Sequence, residues 1–79
     1  MTNWKEVLSM PIALAPVNEE VTIIRVLADE KNKKHLESLG ILVNAKVTVV
    51  SSMNGGVILM VKSGRLALDR SIASKILVA

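Results

Sequence analysis

The residues that could do chemistry in this chain are few and badly spaced for it. There is one histidine, His35, and no cysteine; the carboxylates are Glu6, Glu19, Glu20, Asp29, Glu30, Glu37 and Asp69. A transition-metal site needs several such groups converging on one point. His35 follows Glu30 by five positions and Asp29 by six, so on a helix these side chains point in different directions. The expectation is therefore no dedicated metal site and no cofactor, with His35 on a solvated helix face. The serines (Ser9, Ser38, Ser51, Ser52, Ser63, Ser71 and Ser74) share that one histidine as a base, and none sits in an elbow or triad pattern. Gly40, Gly55, Gly56 and Gly64 each have a turn or cap to explain them, so no phosphate-binding loop can be assembled. These residue types argue against an enzyme.

Binding remains. Lys31, Lys33 and Lys34 gather on one segment, and Lys46, Lys62 and Arg65 decorate the segments that follow. Single-strand binders stack bases on aromatic rings, and Trp4 is the only aromatic residue here. Glu30 and Glu37 offset the lysines, and the net charge is only +3. Nucleic acid is not the expected partner, and a basic nucleic-acid-binding small barrel ranks third among the functional readings. Proline-rich ligands dock in aromatic-lined grooves, which this composition cannot build. A protein partner must add to a sheet edge or sit in an aliphatic cleft. The docking candidates are the helix lysines Lys31, Lys33 and Lys34 and the edge around Lys62 and Arg65, since basic rims speed encounter with acidic partners. Trp4 reads as a staple packed across a barrel end ahead of the alternative, an exposed docking anchor. Met10 and Met53 read as adaptable contact residues and Met60 as core.

The scaffold must be one small domain. A chain of 79 residues buries only ~60% of its unfolded surface. With no disulfide available, dense aliphatic packing has to hold it together, and 51% hydrophobic content supplies the means. No apolar run approaches the ~20 residues that span a bilayer, so no direct membrane insertion is expected. Ala13-Leu14-Ala15 mimics a cleavage site, but Glu6, Ser9 and Pro11 interrupt the apolar segment a signal peptide requires. Absence of cysteine fits a reducing compartment, and the expected location is the cytoplasm.

Local signals place the elements. Asn3 followed by Glu6 is a capping-box-like start, which predicts a helical turn through Leu8 inside an N-terminal extension over residues 1–10. The domain proper is expected over residues 11–79. Pro11 and Pro16 predict an extended path through Ile12, Ala13 and Leu14. Residues 21–27 form the first strand. Its alternation breaks between Ile23 and Ile24, so either both faces are covered or a bulge resets the register. Residues 29–39 form a short helix with Asp29 and Glu30 at its start and Gly40 after its end. Leu36 and Leu39 give it only a narrow apolar stripe, suited to plugging one end of a barrel. Residues 45–49 alternate as a half-buried strand. Asn54-Gly55 predicts a type I′ hairpin turn into a strand over 56–62, whose run Val57-Ile58-Leu59-Met60-Val61 reads as buried. Ser63-Gly64 turns into a strand over 65–68. Asp69 caps one helical turn over 70–75, and a last strand covers 76–78. The class is mainly β, with an SH3-like small barrel first and an open α+β sheet second. Such a chain is expected as a monomer or a weak dimer paired through a strand edge.

The segments His35-Leu36-Glu37-Ser38-Leu39-Gly40-Ile41, Val47-Thr48-Val49-Val50, Gly64-Arg65-Leu66-Ala67-Leu68-Asp69-Arg70-Ser71-Ile72-Ala73 and Ile76-Leu77-Val78 together resemble the FeoA family. The resemblance runs from about Pro11 to Val78. It implies an SH3-like barrel and a non-enzymatic cytoplasmic accessory of bacterial ferrous iron uptake that docks on the FeoB permease. A related domain ends the DtxR-like metal-dependent repressors, which implies the alternative of a free-standing regulatory interaction module. Transition metal binding is associated with the family, although this chain offers no evident ligand set. Two positions depart from the family pattern: Asn18 stands where a loop glycine is usual, and Val43-Asn44 where Pro-Gly is usual. Asn is the non-glycine residue best suited to positive φ, so both are expected to be left-handed.

Overall fold

Two helix caps, three left-handed asparagines and two strand irregularities determine how the chain closes on itself. The computed structural model describes residues 8–62 and 64–79. The predicted turn at the N-terminus, the packing of Trp4 and the conformation of Ser63 lie outside them. The strands are β1 (Met10–Pro11), β2 (Glu20–Val26), β3 (Lys46–Met53), β4 (Gly56–Val61), β5 (Gly64–Leu68) and β6 (Ile76–Val78). A 3-10 turn covers Ile12–Leu14, and two helices, α1 (Glu30–Ser38) and α2 (Arg70–Ala73), complete the elements. All strand pairs are antiparallel, and the sheet order is β1-β6-β2-β3-β4-β5. This is the mainly β architecture expected, a curled sheet with one short helix after its first long strand and a one-turn helix before its last.

The helix ends follow from local chemistry. Asp29 accepts a hydrogen bond from the Asn32 N–H at 2.8 Å, which satisfies one free donor of the first turn of α1. At the other end Gly40 has φ 96°, its N–H bonds to the Glu37 carbonyl at 3.0 Å, and the Ile41 N–H reaches the Leu36 carbonyl at 2.9 Å. That pair of bonds is a Schellman motif, and its hydrophobic contact is supplied by Leu36 and the fully buried Ile41. Asp69 caps α2 in the same manner, accepting from the Ile72 N–H at 2.9 Å.

β2 is shared by both halves of the sheet. Its first residues pair with β3, Val21 opposite Val47, while Ile23 to Val26 pair with β6. The register shifts between Ile23 and Arg25, leaving Ile24 as a bulge. The bulge is what resolves the broken alternation: Val21, Ile23 and Val26 all face the core although the spacing changes between them. A second bulge, at Val50, interrupts the β3–β4 hairpin beyond the Asn54-Gly55 turn.

Asn18 and Asn44 adopt φ of 66° and 74°, and Asn54 and Gly55 at the hairpin turn adopt 53° and 86°. Each of the first two aims a backbone N–H at a strand. Asn18 donates to the Val49 carbonyl at 2.6 Å, and Asn44 donates to the Ile23 carbonyl at 2.7 Å. The left-handed asparagines thus stitch the loops before β2 and after α1 onto the sheet.

One expectation fails near the start. Between its two prolines the chain is not extended but turns, with the Ala15 N–H bonded to the Ile12 carbonyl at 3.1 Å. Turning drives Ile12 fully into the core, and only Ala15, the residue directly before Pro16, keeps an extended conformation. The burial gained at Ile12 outweighs the weak preference of a proline-flanked segment for extension. Ile23, Ile41, Leu59, Ile76, Val49 and Val78 are buried with it, so nearly every element contributes to one aliphatic core.

The Asn44 turn predicts a ranked mutational series. Asn44→Gly is expected to be near neutral, and Asn44→Ala to cost about 1 kcal/mol, with Asn44→Val costing more, because side chains without a local hydrogen-bonding group resist positive φ. Urea unfolding of the three variants checks this, and a glycine variant weaker than the alanine variant would contradict it.

Candidate docking surface

Apolar residues on the outside of a small sheet are the feature to explain. In β4, Val57, Leu59 and Val61 point inward and are buried, while Ile58 and Met60 point outward and are 39% and 43% exposed. This corrects the expectation of a strand buried throughout and of Met60 as a core residue. The strand has an ordinary half-buried alternation whose outward positions also happen to be aliphatic. Ile58 lies between Ser51 of β3 and Ala67 of β5, and Met60 between Thr48 and Arg65. Met53, at the hairpin end, is 74% exposed. Together Met53, Ile58, Met60 and Ala67 make an aliphatic outer face on the β3–β4–β5 meander, with a shallow depression of about 260 Å³ around Ile58.

The basic candidates divide between two places. Lys62 and Arg65 are exposed, and Arg65 pairs across the sheet with Met60, so both border the aliphatic face. Lys31 and Lys34 are exposed on α1 and Lys33 is half-buried. None of these three lines the cleft of about 180 Å³ that α1 forms with β5 and α2. That cleft is bordered by Asn32 and His35 on the helix, by Leu39 at its C-cap and by Leu66, Asp69 and Ile72 opposite. The helix therefore flanks the β5 side of the sheet, and none of its three lysines lines that cleft or the one bordered by Lys62.

Lys46 joins the basic group through the fold. At the far end of the hairpin a cleft of about 350 Å³ is lined by Gly40, Leu42, Ala45, Lys46, Val61 and Lys62. Leu42 is 44% exposed there. Sequence reasoning placed Lys46 on a strand without connecting it to Lys62. The connection is made by the cleft, whose lining comes from the loop after α1 and from the start of β3 and the end of β4.

His35 and Asp69 share the α1–α2 cleft, but one Asp69 oxygen already accepts the Ile72 N–H. The Asp29 carboxylate is likewise engaged as a helix cap. Among the described residues, no three His, Cys, Asp or Glu side chains gather as a metal-holding group. The donor set does not fit a resident transition metal. Among the same residues, no helix is long and apolar enough to cross a membrane.

The division of β4 into two faces is directly measurable. Leu59→Ala is expected to destabilise by about 2–5 kcal/mol by opening a core cavity, whereas Met60→Ala should cost less than about 1 kcal/mol. Equal losses in thermal or urea unfolding would contradict the assignment of faces.

Comparison with known proteins matches this sheet and its connections. A Methanocaldococcus jannaschii protein provisionally named Fe(2+) transport protein A is 35% identical over 68 residues, covering 86% of this chain and 83% of that protein. The crystal structure of an iron uptake regulatory protein, FeoA, superposes with a TM-score of 0.80 at 21% identity, covering 90% of this chain and 96% of the other. A manganese-dependent transcriptional repressor gives a TM-score of 0.80 at 19% identity, with 91% of this chain matched to 41% of the repressor; at that identity the likeness is one of fold. The family model for the FeoA domain matches residues 10–79, and the chain belongs to the FeoA family.

Proposed function

We propose that this chain is a non-enzymatic, cytoplasmic accessory of ferrous iron uptake that docks on the cytosolic part of the FeoB permease and modulates Fe(II) transport. Family membership supports the transport role. The observation that carries the docking reading is the aliphatic outer face of the meander, where Met53, Ile58 and Met60 are exposed beside Lys62 and Arg65. An apolar patch rimmed by charge is the ordinary form of a protein contact site, and adaptable methionines suit it. Iron in this reading is the cargo of the permease. Any effect on nucleotide turnover is, in this reading, exerted through the partner.

The likeness to the repressor favours a second reading, a free-standing regulatory module that binds DNA-binding proteins. The two are separated by one comparison. Calorimetric titration of the full chain with the FeoB cytosolic part is expected to give saturable binding, weakened by Met60→Glu with the fold intact by circular dichroism. No binding at about millimolar concentration, the weak limit of useful affinity, would overturn the permease reading.

A further inference from the structure

Two lysines line the cleft at the far end of the β3–β4 hairpin. Starting from the Asn54-Gly55 turn, Met53 pairs with Gly56 and Ser51 with Ile58. Had that register continued, Lys62 would stand opposite Val47. The bulge shifts the pairing by one, so that Val49 meets Leu59 and Thr48 meets Met60. Past these pairs, Lys46 and Lys62 are both exposed and line one cleft. Like charges lining one cleft repel, and neither lysine is paired with an acidic side chain among the described residues. The cleft beside them is otherwise aliphatic. Its apolar lining is Leu42, Ala45 and Val61, with the Gly40 backbone beside them.

Two unneutralised cations beside an aliphatic slot select a ligand with both properties. We propose that this cleft takes an acidic peptide segment of a protein partner, with a carboxylate between Lys46 and Lys62 and an aliphatic side chain against Leu42 and Val61. The aliphatic floor separates this ligand from a nucleic acid, whose bases would need stacking surfaces that the cleft lacks. The proposal rests on the permease reading in one respect, that the partner supplying the segment is the permease. The occupant's chemistry follows from the cleft alone.

The experiment has two arms, read by amide chemical shifts of the full chain. The first uses the acetylated, amidated peptide Asp-Leu-Glu-Ile, with Lys-Leu-Lys-Ile and a single-stranded DNA oligonucleotide as controls. The expected result is shifts centred on Leu42, Lys46, Val61 and Lys62 with the acidic peptide alone. Affinity should fall about tenfold in the Lys46→Glu, Lys62→Glu double variant and as salt rises. Because the altered residues are exposed, the variant should fold, and its undisturbed spectrum elsewhere serves as the control. The second arm repeats the titration with the FeoB cytosolic part. Absence of acidic-peptide shifts, or stronger shifts with DNA, overturns the cleft proposal whatever the permease does. Peptide binding without permease binding leaves the cleft standing and removes the permease reading. If the permease binds but the double variant binds it equally well, the permease does not supply the segment.

Discussion

β2 is hydrogen-bonded along both edges, and the rest of the fold depends on it. Thr22 exchanges backbone bonds with the C-terminal Ala79, while Ile23 receives the Asn44 N–H and donates to the Ala45 carbonyl. One strand can serve two halves of a sheet only if it bends, and the bulge at Ile24 supplies the bend. Once bent, it brings β3 and β6 around the same apolar interior. Ile12, Ile41 and Ile76 then fill that interior from a 3-10 turn, a loop and the last strand. In a chain with no disulfide and one aromatic residue, this convergence of branched aliphatic side chains is the principal source of stability.

The bulge at Val50 does for the surface what the one at Ile24 does for the core. It changes which side chains meet across the hairpin, with Ser51 opposite Ile58 on one side of it and Thr48 opposite Met60 on the other, and Lys46 and Lys62 line the cleft at the far end. The outer face is thus graded, aliphatic toward the turn and basic toward the Gly40 loop. A face of this kind suits recognition of a partner carrying both apolar and acidic groups. Aromatic stacking has no part in it, which follows from composition alone.

What could be read from the sequence was local chemistry. Asp29, Gly40, Asp69 and Asn54-Gly55 announce caps and a turn because each acts within four residues of itself. The left-handed Asn18 and Asn44 were legible from the family pattern for the same reason. The pairing of Met10 with Val78 and the turn at Ile12 were hidden, since both depend on segments more than sixty residues apart in the chain or on burial against them. Met60 was misread because alternation is invisible when outward positions are as apolar as inward ones. The α1 lysines look like a patch in the sequence, but the cleft lining brings Lys46 together with Lys62 and includes none of the α1 lysines.

The central functional claim is that the outer face of the β3–β4–β5 meander is where this chain meets its partner. Hydrogen–deuterium exchange of the chain, alone and mixed with the FeoB cytosolic part, locates the contact without altering any residue. Slowed exchange should appear in β4 and β5 and around Leu42 to Lys46, with β2 and β6 unchanged. Slowed exchange confined to α1, or none anywhere, would contradict it.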